Sequence, residues 1–199
     1  MRPQANRRVA VGLAVAAALC ALAACGGDDD PDESEETPRA ARIEVDSAKP
    51  AEGATLTTEH FLYAVPAGWR DARDQFPTVE SAAVDAGDGD GFADNLSVLR
   101  VEPAPITDLA ELESGLGREL AEAETKDIEV HVRTTIDGIE TVHLSGIVEQ
   151  PGRTYTVDQF NAVLDDASYI LTFSYDTKTP ADVRTSEVAA MLASWHWQP

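Results

Sequence analysis

The stretch RTYTVDQFNAVLDDASYILTFSY, residues 153–175, decides the fold. Tyr155, Val157 and Gln159 alternate with Thr156 and Asp158 up to about Leu164, where Asp165-Asp166 breaks the run. Tyr169, Leu171, Phe173 and Tyr175 then share one face of a second strand, whose other face carries Ile170, Thr172 and Ser174. A period of two residues is the mark of a strand with distinct faces. The link between these two strands is far too short for a parallel crossover, so they form an antiparallel pair.

The same reading extends outward. Upstream, Val142, Leu144 and Val148 alternate with polar or small residues, and Pro151-Gly152 turns the chain into the decisive stretch. Before that, Ile128, Val130 and Val132 alternate with Glu129, His131 and Arg133, and Asp137-Gly138 is a hairpin signal. Together these segments make a four-stranded meander. Leu109, Leu112, Leu116 and Leu120 recur at helical spacing, which predicts an amphipathic helix over about 108–123. His60–Val65 is a short apolar strand stopped by Pro66-Ala67-Gly68. Residues 79–85 and 95–102 form a strand pair joined by the glycine-rich and aspartate-rich segment 87–91. A second helix is expected with Thr179 as N-cap, Pro180 at the first helical position and Val188, Met191, Leu192 and Trp195 on its buried stripe. The terminal Ser194-Trp195-His196-Trp197 pairs with or covers the sheet. The fold class is α+β: an antiparallel sheet of about six strands with two helices packed on it.

Phe61-x-Tyr63-x-Val65-Pro66-x-Gly68-Trp69 resembles the opening of the PsbP-like, Mog-type α/β/α domain. The order strand pair, helix, meander, helix and Ser194-Trp195-His196-Trp197 is similar to it as well. More narrowly, the chain resembles actinobacterial LpqN/LpqT-type lipoproteins, over residues 57–199. The resemblance implies a partner-binding or assembly role more than catalysis, and loosely implies a lipid or glycolipid carrier accessory as the alternative.

The N-terminus carries an address. Arg2, Arg7 and Arg8 precede a run from Val9 to Leu22 without charge, and Leu22-Ala23-Ala24-Cys25 closes it. This order of basic, apolar and small residues is that of a removable export signal. The final four resemble a bacterial lipobox, which makes Cys25 the lipid attachment site and residues 1–24 the signal peptide. Cleavage would discard Cys20 and leave Cys25 as the one cysteine, so no disulfide is available. Two or more acyl chains give stable anchoring where one does not. The expected location is therefore the extracytoplasmic face of the cell membrane. An uncleaved anchor would give the same topology, because the arginines stay on the cytoplasmic side.

Residues 25–56 read as a lipidated cysteine followed by a disordered acidic tether. Asp28–Glu36 holds seven acidic residues and no basic one, and the chain beyond is poor in large apolar residues. Residues 57–199 then form one domain of ordinary size.

The chain has 15 basic and 36 acidic residues, a formal charge of -21. Loss of residues 1–24 removes three arginines and no acid, which takes the net charge to -24. Such acidity excludes a nucleic-acid partner, which needs a basic footprint. The expected partners are the membrane, through the anchor, and an envelope protein or envelope lipid.

No nucleophile elbow, phosphate loop, dinucleotide fingerprint or reactive cysteine is present. The expectation is a non-catalytic binding module with no cofactor and no metal; an unrecognised hydrolase is a further alternative that no motif supports. His60, His131, His143 and His196 lack metal-ligand spacing. His131 and His143 can approach each other across the Asp137-Gly138 hairpin, yet two solvent-facing sheet histidines with no carboxylate beside them is the expected outcome. Asp85, Asp88, Asp90 and Asp94 suggest a calcium loop, but an EF-hand register puts Ala86 at the first ligand and Ser97 at the last. Tyr63, Trp69, Phe76, Trp195 and Trp197 are read as core aromatics in preference to a ligand groove.

Overall fold

The structure is a computed structural model and describes residues 43–87, 92–122 and 125–198. The decisive stretch forms two long strands, Arg153–Leu164 and Ala167–Asp176, paired antiparallel around Asp165-Asp166. In chain order the strands are β1 Thr55–Thr57, β2 Phe61–Ala64, β3 Trp69–Asp71, β4 Ser81–Asp85, β5 Asn95–Val101, β6 Thr125–Val130, β7 Thr134–Ile136, β8 Ile139–Gln150, β9 Arg153–Leu164, β10 Ala167–Asp176 and β11 His196–Trp197. The helices are α1 Leu109–Glu122 and α2 Ala181–Ala193.

The class is α+β, as the alternation requires, but the sheet is larger than six strands. Eight strands form an antiparallel sheet in the order β3-β4-β5-β10-β9-β8-β6, with β7 also paired to β8. A separate three-stranded sheet, β1-β2-β11, carries the Phe61–Ala64 segment and the terminal His196-Trp197.

Directly opposed residues share a face of the sheet. Val98, Leu171 and Phe160 therefore lie together, as do Leu96, Phe173 and Asp158. This face is closed by Val188, Met191 and Leu192 of α2 and by Trp195, all within the principal core. The opposite face of β8 presents Val142 and Leu144, onto which α1 docks Leu109, Leu112, Leu116 and Leu120. Asp108 caps α1: its Oδ1 accepts the Glu111 N–H at 2.8 Å. The two helices thus sit on opposite faces of one sheet.

Three local expectations need correction. First, the packed chain starts before residue 57. Ile43 and Val45 are buried in the principal core, with Ala48 and Ala51 against it. Ala51 N–H donates to the Ala190 carbonyl of α2, and Gly53 N–H to that of Val65. Residues 43–56 are therefore docked and not part of a tether. Sparse apolar residues suffice because each one lands on the existing core. Residues 1–42, including the acidic run, lie outside the described residues.

Second, Pro180 and not Thr179 is the N-cap of α2, and no side chain caps the helix. The Thr179 hydroxyl donates instead to Asp94 Oδ2 at 3.1 Å. Third, the strand expected through Arg133 is interrupted. A bulge between Lys126 and Glu129, with Asp127 at φ 48°, shifts the register; pairing resumes at Glu129 and Val130, and beyond them one backbone bond runs from His131 N–H to the His143 carbonyl. The chain resumes as β7, and Asp137-Gly138, both at positive φ, turns it into β8 as expected.

Gly53 marks how closely the N-terminal segment is seated. A Cβ there would lie 2.3 Å from the Val65 carbonyl oxygen and 2.8 Å from that of Pro66. Gly53→Ala should lift residues 43–54 from the core at a cost of about 1–2 kcal/mol, the segment yielding while the sheet holds. Limited proteolysis should then cut within this segment faster than in the wild type; equal rates would contradict this seating.

Candidate functional site

The bulge in β6 and the length of β8 bring His131 and His143 together. Their rings stack at 4.0 Å with an interplanar angle of 15°. His143 in turn stacks on Phe160 at 4.2 Å and 11°, and Phe160 meets Phe173 edge-on. This column of rings runs from the edge of the sheet into the principal core.

The β8–β9 register adds a carboxylate. The turn at Pro151-Gly152 pairs Gln150 with Arg153, which places Ser145 opposite Asp158 and His143 opposite Phe160. His143 Nε2 lies 2.9 Å from Asp158 Oδ1, and His131 Nε2 lies 2.7 Å from Ser145 Oγ. A carboxylate only accepts, so the neutral His143 ring carries its proton on Nε2. His143 Nδ1 is then a lone pair, buried and without a partner.

His143 is 1% exposed, whereas His131 and Asp158 retain partial access. Burial pushes the His143 imidazole below its ordinary range; the Asp158 hydrogen bond opposes this and His131 adds to it. His143 is therefore neutral near pH 7, the state in which an imidazole can ligate a metal. One donor atom each from His131, His143 and Asp158 falls within 4.8 Å of the other two.

This arrangement corrects the expectation of two solvent-facing histidines with no carboxylate beside them. The proximity of His131 and His143 was readable from the hairpin; Asp158 was not identified. The other two histidines stay apart from this cluster. His60 Nδ1 is 2.8 Å from Glu80 Oε1, and His196 Nδ1 is 3.5 Å from Asp137 Oδ1 near the surface.

The remaining candidates separate cleanly. Asp94 is buried and spends its carboxylate on the protein, accepting the Asp176 N–H at 2.8 Å as well as the Thr179 hydroxyl. Asp85 Oδ1 accepts the Gly87 N–H. Asp88 and Asp90 lie outside the described residues, as do Leu22, Ala23, Ala24 and Cys25. Tyr63, Trp69, Phe76 and Trp195 are core residues, and Trp197 is half-buried with its indole N–H donating to the Ile136 carbonyl.

An open cleft of about 340 Å³ lies where the β8–β9 turn meets the β10–α2 connection. Phe92, Arg153, Asp176 and Lys178 are among the residues lining it. Its lining is mainly polar.

No protein-family model matches the chain, and no curated protein matches it in sequence. Solved structures do match. The structure of LpqN, described as involved in cell envelope biogenesis of Mycobacterium tuberculosis, aligns with a TM-score of 0.54 at 14% identity, covering 74% of this chain and 86% of LpqN. A protein from Bacteroides thetaiotaomicron aligns with a TM-score of 0.52 at 10% identity. That alignment covers 74% of this chain and 49% of the other, so the chain spans about half its length. Cyanobacterial PsbP from Synechocystis aligns at 15% identity with a TM-score of 0.47, over 73% of this chain and 91% of that one. The chain shares the α+β fold of LpqN, and identities this low speak for the fold alone.

Proposed function

We propose that the chain is a lipid-anchored protein of the extracytoplasmic membrane face whose α+β domain is a non-catalytic binding or interaction module. The observation that carries this reading is Leu22-Ala23-Ala24-Cys25 at the end of an uncharged apolar run behind three arginines. The fold shared with LpqN, a protein tied to envelope biogenesis, is in keeping with an envelope role. The net negative charge favours a partner with cationic features and disfavours nucleic acid.

The lipid-carrier alternative requires a deep apolar pocket between sheet and helix. That space holds Phe61, Tyr63, Phe160, Phe173 and Trp195, each no more than 1% exposed. Among the described residues, the cleft of about 340 Å³ at the β8–β9 turn is open and mainly polar. Both observations favour the interaction module over the carrier.

Expression in a lipoprotein-processing bacterium tests the anchor. The wild type should take up a fatty-acid label and sediment with membranes, whereas Cys25→Ser should do neither. A Cys25→Ser chain that is still processed and membrane-held without label would overturn the anchor. Crosslinking in intact cells should then recover a specific envelope partner, and a specific turnover by the purified domain would overturn the non-catalytic reading.

A further inference from the structure

We propose that His131, His143 and Asp158 form a binding site for a divalent late transition-metal ion of the zinc class. The site is independent of the anchor and of the interaction reading, and it goes beyond both.

The donor set selects the ion class. Two imidazole nitrogens and one carboxylate oxygen suit zinc and its neighbours, while calcium and magnesium require shells made almost wholly of oxygen. The donors are close before any ion arrives: His143 Nε2 and Asp158 Oδ1 stand 2.9 Å apart, and all three residues offer an atom within 4.8 Å of the others. An ion at this position takes the place of the proton between His143 Nε2 and Asp158 Oδ1. The ring proton shifts to Nδ1, which leaves His143 neutral with its Nε2 lone pair facing the ion. Ser145 Oγ lies at the same edge, 2.7 Å from His131 Nε2.

The framework favours order at the site. His143 is fixed between His131 and Phe160 by stacking on both faces. Asp158 and Ser145 are held opposite one another in the middle of the β8–β9 ladder. Entry is from the partly exposed side, through His131 and Asp158.

Two features set the strength. The near-parallel rings do not aim their lone pairs at a common point, so His131 must rotate about its side-chain bonds to ligate. With the ion on Nε2, the buried Nδ1 of His143 would carry a proton with no acceptor beside it. Loss of such an outer-shell partner typically weakens a site about 10–100-fold. The site should therefore bind reversibly, as an exchangeable site and not as a structural zinc on which the fold depends.

The test uses the full chain, purified without an affinity tag, titrated with zinc chloride and with calcium chloride. Zinc should bind at one strong equivalent and raise the melting temperature, and calcium should give no comparable shift. His131→Gln and Asp158→Asn should each weaken zinc at least about tenfold; the asparagine keeps an acceptor for His143, so the strand pairing survives. Cobalt(II) should show the ligand-field absorption of a nitrogen- and oxygen-ligated ion in the wild type, a readout that does not depend on how the variants fold. No strong zinc equivalent would overturn the proposal. So would zinc affinity unchanged in both variants, which would assign the ion to the acidic surface, or an equal response to calcium.

Discussion

Replacing Trp195 with alanine should destabilise the domain by about 3–5 kcal/mol, measured as a fall in the urea midpoint with little change in slope. The indole is 1% exposed and lies across two neighbouring rings of β2, Phe61 and Tyr63, whose centroids are 6.1 Å apart. It stacks on Phe61 at 4.7 Å and 20°, and on Tyr63 at 4.7 Å and 13°. Phe61 also meets Tyr169 edge-on at 6.2 Å, which ties the small sheet and the C-terminal segment to β10. Truncation would leave a cavity that three separate elements would have to collapse to fill, and the rigid sheet limits that collapse. Against a typical total stability of about 5–15 kcal/mol, the loss is large enough to leave a measurable unfolded fraction. Trp195→Phe should cost much less. It keeps a ring against Phe61 and Tyr63 and removes an indole N–H that is buried without a partner. A Trp195→Ala variant less than about 1 kcal/mol below wild type would mean that the aromatic stack is not the keystone of this core.

That stack also shows how much of the fold could be read in advance. Tyr63 and Trp195 stood out as core aromatics, and Phe61 as part of the short apolar strand His60–Val65. What periodicity could not supply was their partition into a second sheet: β2 pairs with β1 and β11, segments of three and two residues with little pattern of their own. The docked segment 43–56 was missed for a related reason. Its composition is that of a linker, and Ile43 and Val45 become core residues through the surface they meet. Of the histidine cluster only the approach of His131 to His143 was legible; the burial of His143 and the carboxylate beside it were not. Asp137-Gly138 put His131 near His143, and counting back from the Pro151-Gly152 turn gives the register that sets Asp158 opposite Ser145. Asp158 is one of 36 acidic residues, and only that register distinguishes it from the others. The misplaced N-cap has a similar origin. Thr179 has the right chemistry to cap α2, but an acceptor from a distant loop claims its hydroxyl.

That acceptor, Asp94, carries the second large effect. Asp94→Ala should destabilise the domain by about 2–3 kcal/mol, because it strands a backbone N–H and a hydroxyl that were bonded to a charged, buried acceptor. Its two oxygens take different donors, the Asp176 N–H at 2.8 Å and the Thr179 hydroxyl at 3.1 Å. The carboxylate thus joins the segment entering β5 to the connection between β10 and α2. Asp94→Asn should cost roughly half as much: its amide oxygen still accepts the Asp176 N–H, but without the added strength of a charged acceptor. A double-mutant cycle with Thr179→Val isolates the hydroxyl bond, and a coupling of about 0.5 kcal/mol or more is expected for residues in direct contact. The same variants separate this structural role from the calcium-loop reading of the acidic segment. If Asp94 acts as an internal acceptor, the loss on mutation will be the same with calcium and with chelator. A wild-type stability that rises with calcium, and a mutational loss that vanishes in chelator, would instead return Asp94 to the role of a ligand.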